Sequence, residues 1–237
     1  MITVATWNVL HRVHAENWYE DVTKKWPVEH ERIDAIAARV AKRSEQIIAL
    51  QEVSGDQLAA LRDALSDRTI HTLRYPRVPR PKRIPTSLRN RDEYLVLVVD
   101  DPGHTVLAAA FGDDPGKGAL VVATSGLTVV ATHVSGDERS GPQLSRLAGW
   151  ALSDPSRPAV LLGDFNADRD VVAEGLGGGF TVAELPAGSL PTRPRTSGSK
   201  SQFIDHVVTH GAYARDAAVE SADGLSDHNP VRAAIAV

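Results

Sequence analysis

Six short apolar runs in this chain end on, or carry, a residue able to do chemistry. Residues 3–6 lead into Trp7-Asn8, residues 46–50 into Gln51-Glu52, and residues 127–132 into His133. Residues 160–162 lead into Gly163-Asp164-Phe165-Asn166. The run 203–208 carries Asp205 followed by His206, and Ser226-Asp227-His228-Asn229-Pro230 opens the last apolar run. An ionised carboxylate beside a buried strand is costly unless it is paired or binds a cation. If Glu52, Asp164, Asp205 and Asp227 share one cleft, two of them ~4 Å apart repel by about 4 kcal/mol at an effective dielectric near 20. Such a group must hold protons, pair with histidine or bind a metal ion. There is no cysteine, so the ligands are oxygen and nitrogen, which select Mg2+, with Mn2+ or Ca2+ as substitutes. Asn8 and Asn166 add neutral polar groups suited to an anionic substrate. His133 and His228 can donate to phosphate oxygens or to a leaving group. An acid beside His228, most simply Asp205, would fix its tautomer and raise its pKa. Together these are the parts for metal-assisted attack of water on a phosphate ester.

Each part has a plainer reading when taken alone. Glu52 is a surface acid after a strand, Asp164 and Asn166 cap a turn before a helix, and Asp227-His228 is a turn before Pro230. His133 is a satisfied core histidine. Six such features in one chain favour a shared site. His11 and His14 are tempting as a second metal pair but read more simply as loop histidines. His206 points to the opposite face from Asp205 by strand alternation.

The positioning elements follow from periodicity. Strands are expected over 2–6, 47–50, 69–75, 94–99, 105–110, 119–124, 127–133, 202–209, 214–221 and 231–237, with Ser125-Gly126 as a hairpin turn. Helices are expected over 29–43, 55–65, 142–152 and 168–174. Residues 8–28 read as a long loop with one helical turn at most. Many short strands and few helices point to an α/β chain in which mixed sheets pack face to face, with helices outside. Between Arg74 and Arg91 stand seven cations and four prolines with no acid, a loop too proline-rich for regular structure. Composition alone makes it a solvated segment. Beside a phosphoesterase site it is an electropositive arm for a polyanion, with Arg77, Arg80, Lys82 and Arg83 as substrate-binding candidates. Trp18, Tyr19 and Trp26 either stack on a substrate or pack under their loop.

The net charge of -4 argues against a general affinity for nucleic acid but allows a local basic patch. The 237 residues suit one domain, 1–237, without a long linker. No run is long enough to span a membrane, and the first ten residues read as a core strand rather than a leader. A cytoplasmic monomer is the expectation.

Thr6-Trp7-Asn8, Leu50-Gln51-Glu52, Thr132-His133, Gly163-Asp164-Phe165-Asn166, Ile204-Asp205-His206 and Ser226-Asp227-His228 resemble the ordered motifs of the endonuclease/exonuclease/phosphatase superfamily, the deoxyribonuclease-I-like metal-dependent phosphoesterases. The resemblance runs from residue 6 to 228. It implies a four-layered α/β sandwich, two packed, mostly antiparallel mixed sheets flanked by helices, and Mg2+-dependent hydrolysis of phosphodiesters. Carried over, it makes Glu52 the main metal ligand, helped by Asn8 and Asp227, with Mn2+ as a substitute ion. Asp164 orients or deprotonates the attacking water. Asn166 and His228 hold the scissile phosphate, Asp205 supports His228, and His133 binds phosphate or assists the leaving group. Three departures weigh against abasic-site repair. No Asp lies two residues after Asn8, no counterpart of the active-site tyrosine is found, and His206 stands where many members have an aromatic. Nucleic acid is the expected substrate class. The alternatives are a small phosphoester (a nucleotide, inositol phosphate or lipid headgroup) and a non-catalytic binding module of the same fold.

Overall fold

The computed structural model describes residues 1–82, 85–195 and 201–237. Arg83, a substrate-binding candidate, lies outside the described residues. Two six-stranded sheets carry the chain. The first has the order β11-β12-β1-β2-β4-β3, with β1 (Ile2–Asn8), β2 (Ile47–Ser54), β3 (Thr69–Arg74), β4 (Glu93–Val99), β11 (Tyr213–Val219) and β12 (Val231–Ala236). The second has the order β5-β6-β7-β8-β10-β9, with β5 (His104–Phe111), β6 (Asp114–Ala123), β7 (Thr128–His133), β8 (Ala159–Asp164), β9 (Phe180–Val182) and β10 (Asp205–His210). Each sheet has one parallel pair at its centre, β1 with β2 and β7 with β8, and is antiparallel elsewhere.

Strand alternation sorts the apolar side chains into three layers of contact. Leu97, Leu120, Val129 and Leu162 fill the space between the sheets. Ile36 and Val40 of α3 (Glu29–Ala41), with Leu58 and Leu61 of α4 (Gly55–Ala64), cover the outer face of the first sheet. Leu144 and Leu147 of α5 (Ser140–Ala151), with Val172 and Leu176 of α6 (Arg169–Leu176), cover the second. The result is a four-layered α/β sandwich. Among the described residues no helix is long and apolar enough to cross a membrane.

The loop expected over 8–28 is largely helical, with α1 (Arg12–Trp18) and α2 (Val22–Lys25). His11 caps α1, its side chain accepting from Val13 N, although histidine is not a favoured cap. Tertiary contacts then hold the segment. Arg32, fully buried and paired with Glu29, donates to the carbonyls of Val9, Leu10 and Leu225. Such long-range bonds leave no local sequence pattern. Strand β10 begins at Asp205 rather than 202, because Gln202 forms only an isolated bridge to Arg193. Strand β9, not expected, pairs with β10.

Candidate active site

Parallel central pairs send the carboxyl ends of β1, β2, β7 and β8 to one end of the sandwich. In the second sheet His133, Asp164 and Asp205 stand in register, side by side on three neighbouring strands. The strands approach so closely that a Cβ on Gly163 would lie 2.1 Å from the Thr132 carbonyl oxygen, so only glycine fits before Asp164. In the first sheet, a bulge between Leu50 and Val53 places Gln51 and Glu52 against one residue of β4. Glu52 sits there at φ 57, a conformation that costs a non-glycine residue energy. Regular alternation from Leu50, which packs under the helices, would send Glu52 to that same face; the bulge re-aims it.

These ends meet around Asp164. Its Oδ2 lies 3.0 Å from Asn8 Nδ2, 3.4 Å from His133 Nε2 and 3.8 Å from His228 Nε2. Asn8 Nδ2 also donates to Glu52 Oε1 at 3.2 Å, so it links Glu52 of its own sheet to Asp164 of the other. Asp164 Oδ1 accepts from Asn166 N at 2.9 Å, which holds Asn166 in its left-handed turn. Asn166 Nδ2 donates to Val134 O. His228 Nδ1 lies 2.9 Å from Asp205 Oδ2, fixing the ring's orientation. The loop carrying His228 is fastened to β1: Ser226 Oγ donates to Asn8 O, and Trp7 Nε1 donates to His228 O. Thr192 Oγ1 accepts from the backbone nitrogens of Ile204 and Asp205, while its carbonyl accepts from Asn229 N. That buried threonine ties both halves of the Asp205–His228 pair together.

The acids are answered in part by the protein's own cations. Burial alone would raise Glu52, but His14, His133, Lys117 and His228 outweigh it and hold the carboxyl well below the usual range. Burial is likewise overcome at Asp164 by His228, His133 and Lys117. Burial disfavours charge on His228, yet Asp205, Asp227 and Asp164 hold it up at about 10. Burial lifts Asp205 to about 6, so at neutral pH the pair is an imidazolium facing a carboxylate. Lys117 Nζ rests on His133 Nε2. Asp227 Oδ2 pairs with Arg193 at 3.0 Å, whereas Asp227 Oδ1 is buried without a hydrogen-bond partner among the described residues.

A cleft of about 1000 Å³ opens over this floor. Glu52, His133, Asp164, Asn166, Asp227 and His228 line it, and Arg77, Arg80 and Lys82 form its rim. Asn8 and Asp205 lie just beneath, each 1% exposed. Asn17 clasps the rim to α1 through the Arg80 carbonyl and the Lys82 amide, and Lys82 Nζ sits 4.7 Å over the Trp18 ring. Lys117, Arg193, Arg195, Glu20 and His14 also line the cleft and were not among the residues expected from sequence. Arg193-Pro194-Arg195 repeats the cation–proline pattern of residues 74–91 and was legible by the same rule. Lys117, inside a glycine-rich hairpin, carries no such signal. His206 turns to the outer face, against Phe165 and Ala167 O.

The donor set fits a hard divalent cation. Glu52 and Asp227 present carboxylates to one cleft without sulfur, and Asp227 Oδ1 is a buried oxygen that accepts no hydrogen bond from the described residues. Asn8, as oriented here, gives its nitrogen to Glu52 and Asp164; its Oδ1 accepts from Leu10 N.

The model of the Endonuclease/Exonuclease/phosphatase family matches residues 5–228. No curated protein matches the sequence. Among solved structures, D. rerio TDP2 complexed with a single strand DNA product superposes with TM-score 0.71 at 12% identity, covering 100% of this chain and 99% of that one. An endonuclease/exonuclease/phosphatase from Bacteroides vulgatus gives 0.71 at 17% identity, covering 100% and 98%. A functionally unknown conserved protein from Enterococcus faecalis V583 gives 0.70 at 17%, covering 99% of each chain.

Proposed function

Since this chain belongs to the endonuclease/exonuclease/phosphatase family, we propose that it is a divalent-metal-dependent phosphodiesterase acting on nucleic acid, with residues 1–237 working as one domain. The observation that carries this reading is the placement of three nitrogen groups around Asp164 Oδ2 at the base of a basic-rimmed cleft.

Glu52 and Asp227, with Asn8 beside them, would hold a divalent ion, which would supply positive charge against the phosphate oxygens. Asp164 accepts a hydrogen bond from the attacking water and aims it at phosphorus. Its carboxylate, held ionised by His228, His133 and Lys117, also accepts the proton that the water gives up as it bonds to phosphorus. The His228 imidazolium donates to a non-bridging oxygen, where negative charge grows in the transition state, and Asp205 keeps the ring turned. Asn166 gives its second amide hydrogen to the same phosphate. His133, with Lys117 against it, faces the leaving oxygen.

Nucleic acid as the substrate class is supported by the rim. Arg77, Arg80, Lys82, Arg193 and Arg195 line one opening, and Trp18, 67% exposed, offers a stacking face. The D. rerio relative with its single strand DNA product agrees with this class. A substrate panel with Mg2+ tests the reading, comparing single-stranded and duplex oligonucleotides, a generic diester and free nucleotides. Hydrolysis of oligonucleotides that stops in EDTA is expected. Turnover of free nucleotides alone would replace the polymer with a small phosphoester.

A further inference from the structure

We propose that His14, Glu93 and Glu52 form a second cation site, beside the phosphoesterase centre, that selects a transition-metal ion such as Mn2+ over Mg2+. One ligand atom from each of the three lies within 4.8 Å of the others. They come from separate elements: His14 from α1, Glu93 from the first position of β4, and Glu52 from the bulge of β2. His14 Nε2 is 3.2 Å from Glu93 Oε2.

Of the two histidines in this segment only His14 is free for the role. His11 spends Nδ1 on Val13 N and contacts the Arg91 carbonyl through Nε2. Glu52 has its two oxygens engaged by the neutral donors Asn8 Nδ2 and His11 N, with His133 Nε2 3.9 Å from Oε1. An ordinary ion pair would need one imidazole and one acid. Here two carboxylates, the buried Glu93 and the partly exposed Glu52, face one imidazole. A third feature points the same way. The Tyr75 hydroxyl is fully buried, has no hydrogen-bond partner among the described residues, and lies within electrostatic reach of Glu93 and Glu52, as well as of Asp114 and Arg77. A water held on a bound ion would give it one.

The donor chemistry sets the ion. Mg2+ takes oxygen ligands and keeps its waters, whereas one imidazole with two carboxylates suits Mn2+, Fe2+, Co2+ or Zn2+. Such an ion lies about 2.1 Å from each ligand atom, so ligands up to about 4.2 Å apart embrace it, a contraction of a few tenths of an ångström here. The site shares Glu52 with the phosphoesterase centre but does not depend on what that centre hydrolyses.

Counting bound Mn2+ on the full chain, from the electron paramagnetic resonance signal of the free ion, tests this. The wild type is expected to hold two ions per chain, and His14→Ala and Glu93→Gln one each. Excess Mg2+ is expected to displace only one ion from the wild type. Thermal melts establish that both variants fold, and if one does not, the count for the other decides. One ion per chain in the wild type, or two in the folded variants, overturns the site. A count of two that falls to one in the variants, in a protein that hydrolyses no phosphoester, sustains the site and removes the phosphoesterase reading instead.

Discussion

The floor of the cleft and its rim are built by different means. The floor stands on strand ends. Asp164, Asp205 and His133 share one row of a sheet, and Asn8 and Glu52 end the facing pair. Their side chains are buried, except for the partly exposed Glu52, and are cross-bonded and fixed by backbone geometry that tolerates almost no change, as at Gly163. The rim stands on loops. The Arg77 guanidinium reaches Asp114 only at 3.7 Å, and that of Arg193 divides itself between Asp227 and Glu20. A rigid floor suits a reaction that needs atoms held within fractions of an ångström; a looser rim suits a polyanion gripped by charge. Chemistry and grip should therefore separate under mutation.

Asp164→Asn gives the largest effect. It keeps the side chain's shape and removes the acceptor that aims the water, so the turnover rate should fall by about 10³-fold with KM nearly unchanged. Single-turnover cleavage of an oligonucleotide checks it. A loss in KM alone would merge floor and rim into one binding surface.

Next is Gly163→Ala, which tests whether the floor's rigidity is structural. Its Cβ meets a backbone oxygen rather than a movable side chain, so a stability loss of about 3 kcal/mol is expected in urea unfolding. An unchanged midpoint would mean that β7 and β8 are free to part.

Neutralising Arg77 and Lys82 together should weaken oligonucleotide binding while the bound complex turns over at its former rate. The slope of log affinity against log salt should become shallower by about 0.7 per lost phosphate contact on a single strand. An unchanged slope would assign the rim to structure, or the substrate to a small molecule.

A last effect is on pH-dependent stability in chelator. Burial lowers His11 to about 4, so between 6.5 and 4 the unfolded chain binds more protons than the folded one. Stability from this group is present above 6.5 and lost as pH falls toward 4, on the order of 3 kcal/mol. His228, held up at about 10, acts oppositely, its contribution complete below 6.5 and lost as pH rises toward 10. His11→Asn keeps a good cap and should flatten only the acid limb of thermal melts taken across pH.

The same division explains what could be read from the sequence. Floor residues follow apolar runs, and a strand announces its end by its pattern, so Glu52, His133 and Asp164 stood out at once. What they touch did not. The bulge that turns Glu52 into the cleft depends on pairing with β4, and Thr192 acts through partners at 204, 205 and 229. Helix α1 was missed because its cap is a histidine and its anchor is the buried Arg32. Arg77, Arg80 and Lys82 were legible as charge without address. Only the fold sets them, with Arg193 and Arg195, around one opening.

The most direct test is the Mg2+ dependence of oligonucleotide cleavage by the wild type and by Glu52→Gln, a variant that preserves size while removing the carboxylate charge. The wild type should be silent in EDTA and recover fully with Mg2+, and Glu52→Gln should stay at least about tenfold slower at the same Mg2+ concentration. Full cleavage in EDTA, or a Glu52→Gln protein as fast as wild type, would contradict the gathering of strand-end acids around a metal-bound phosphate.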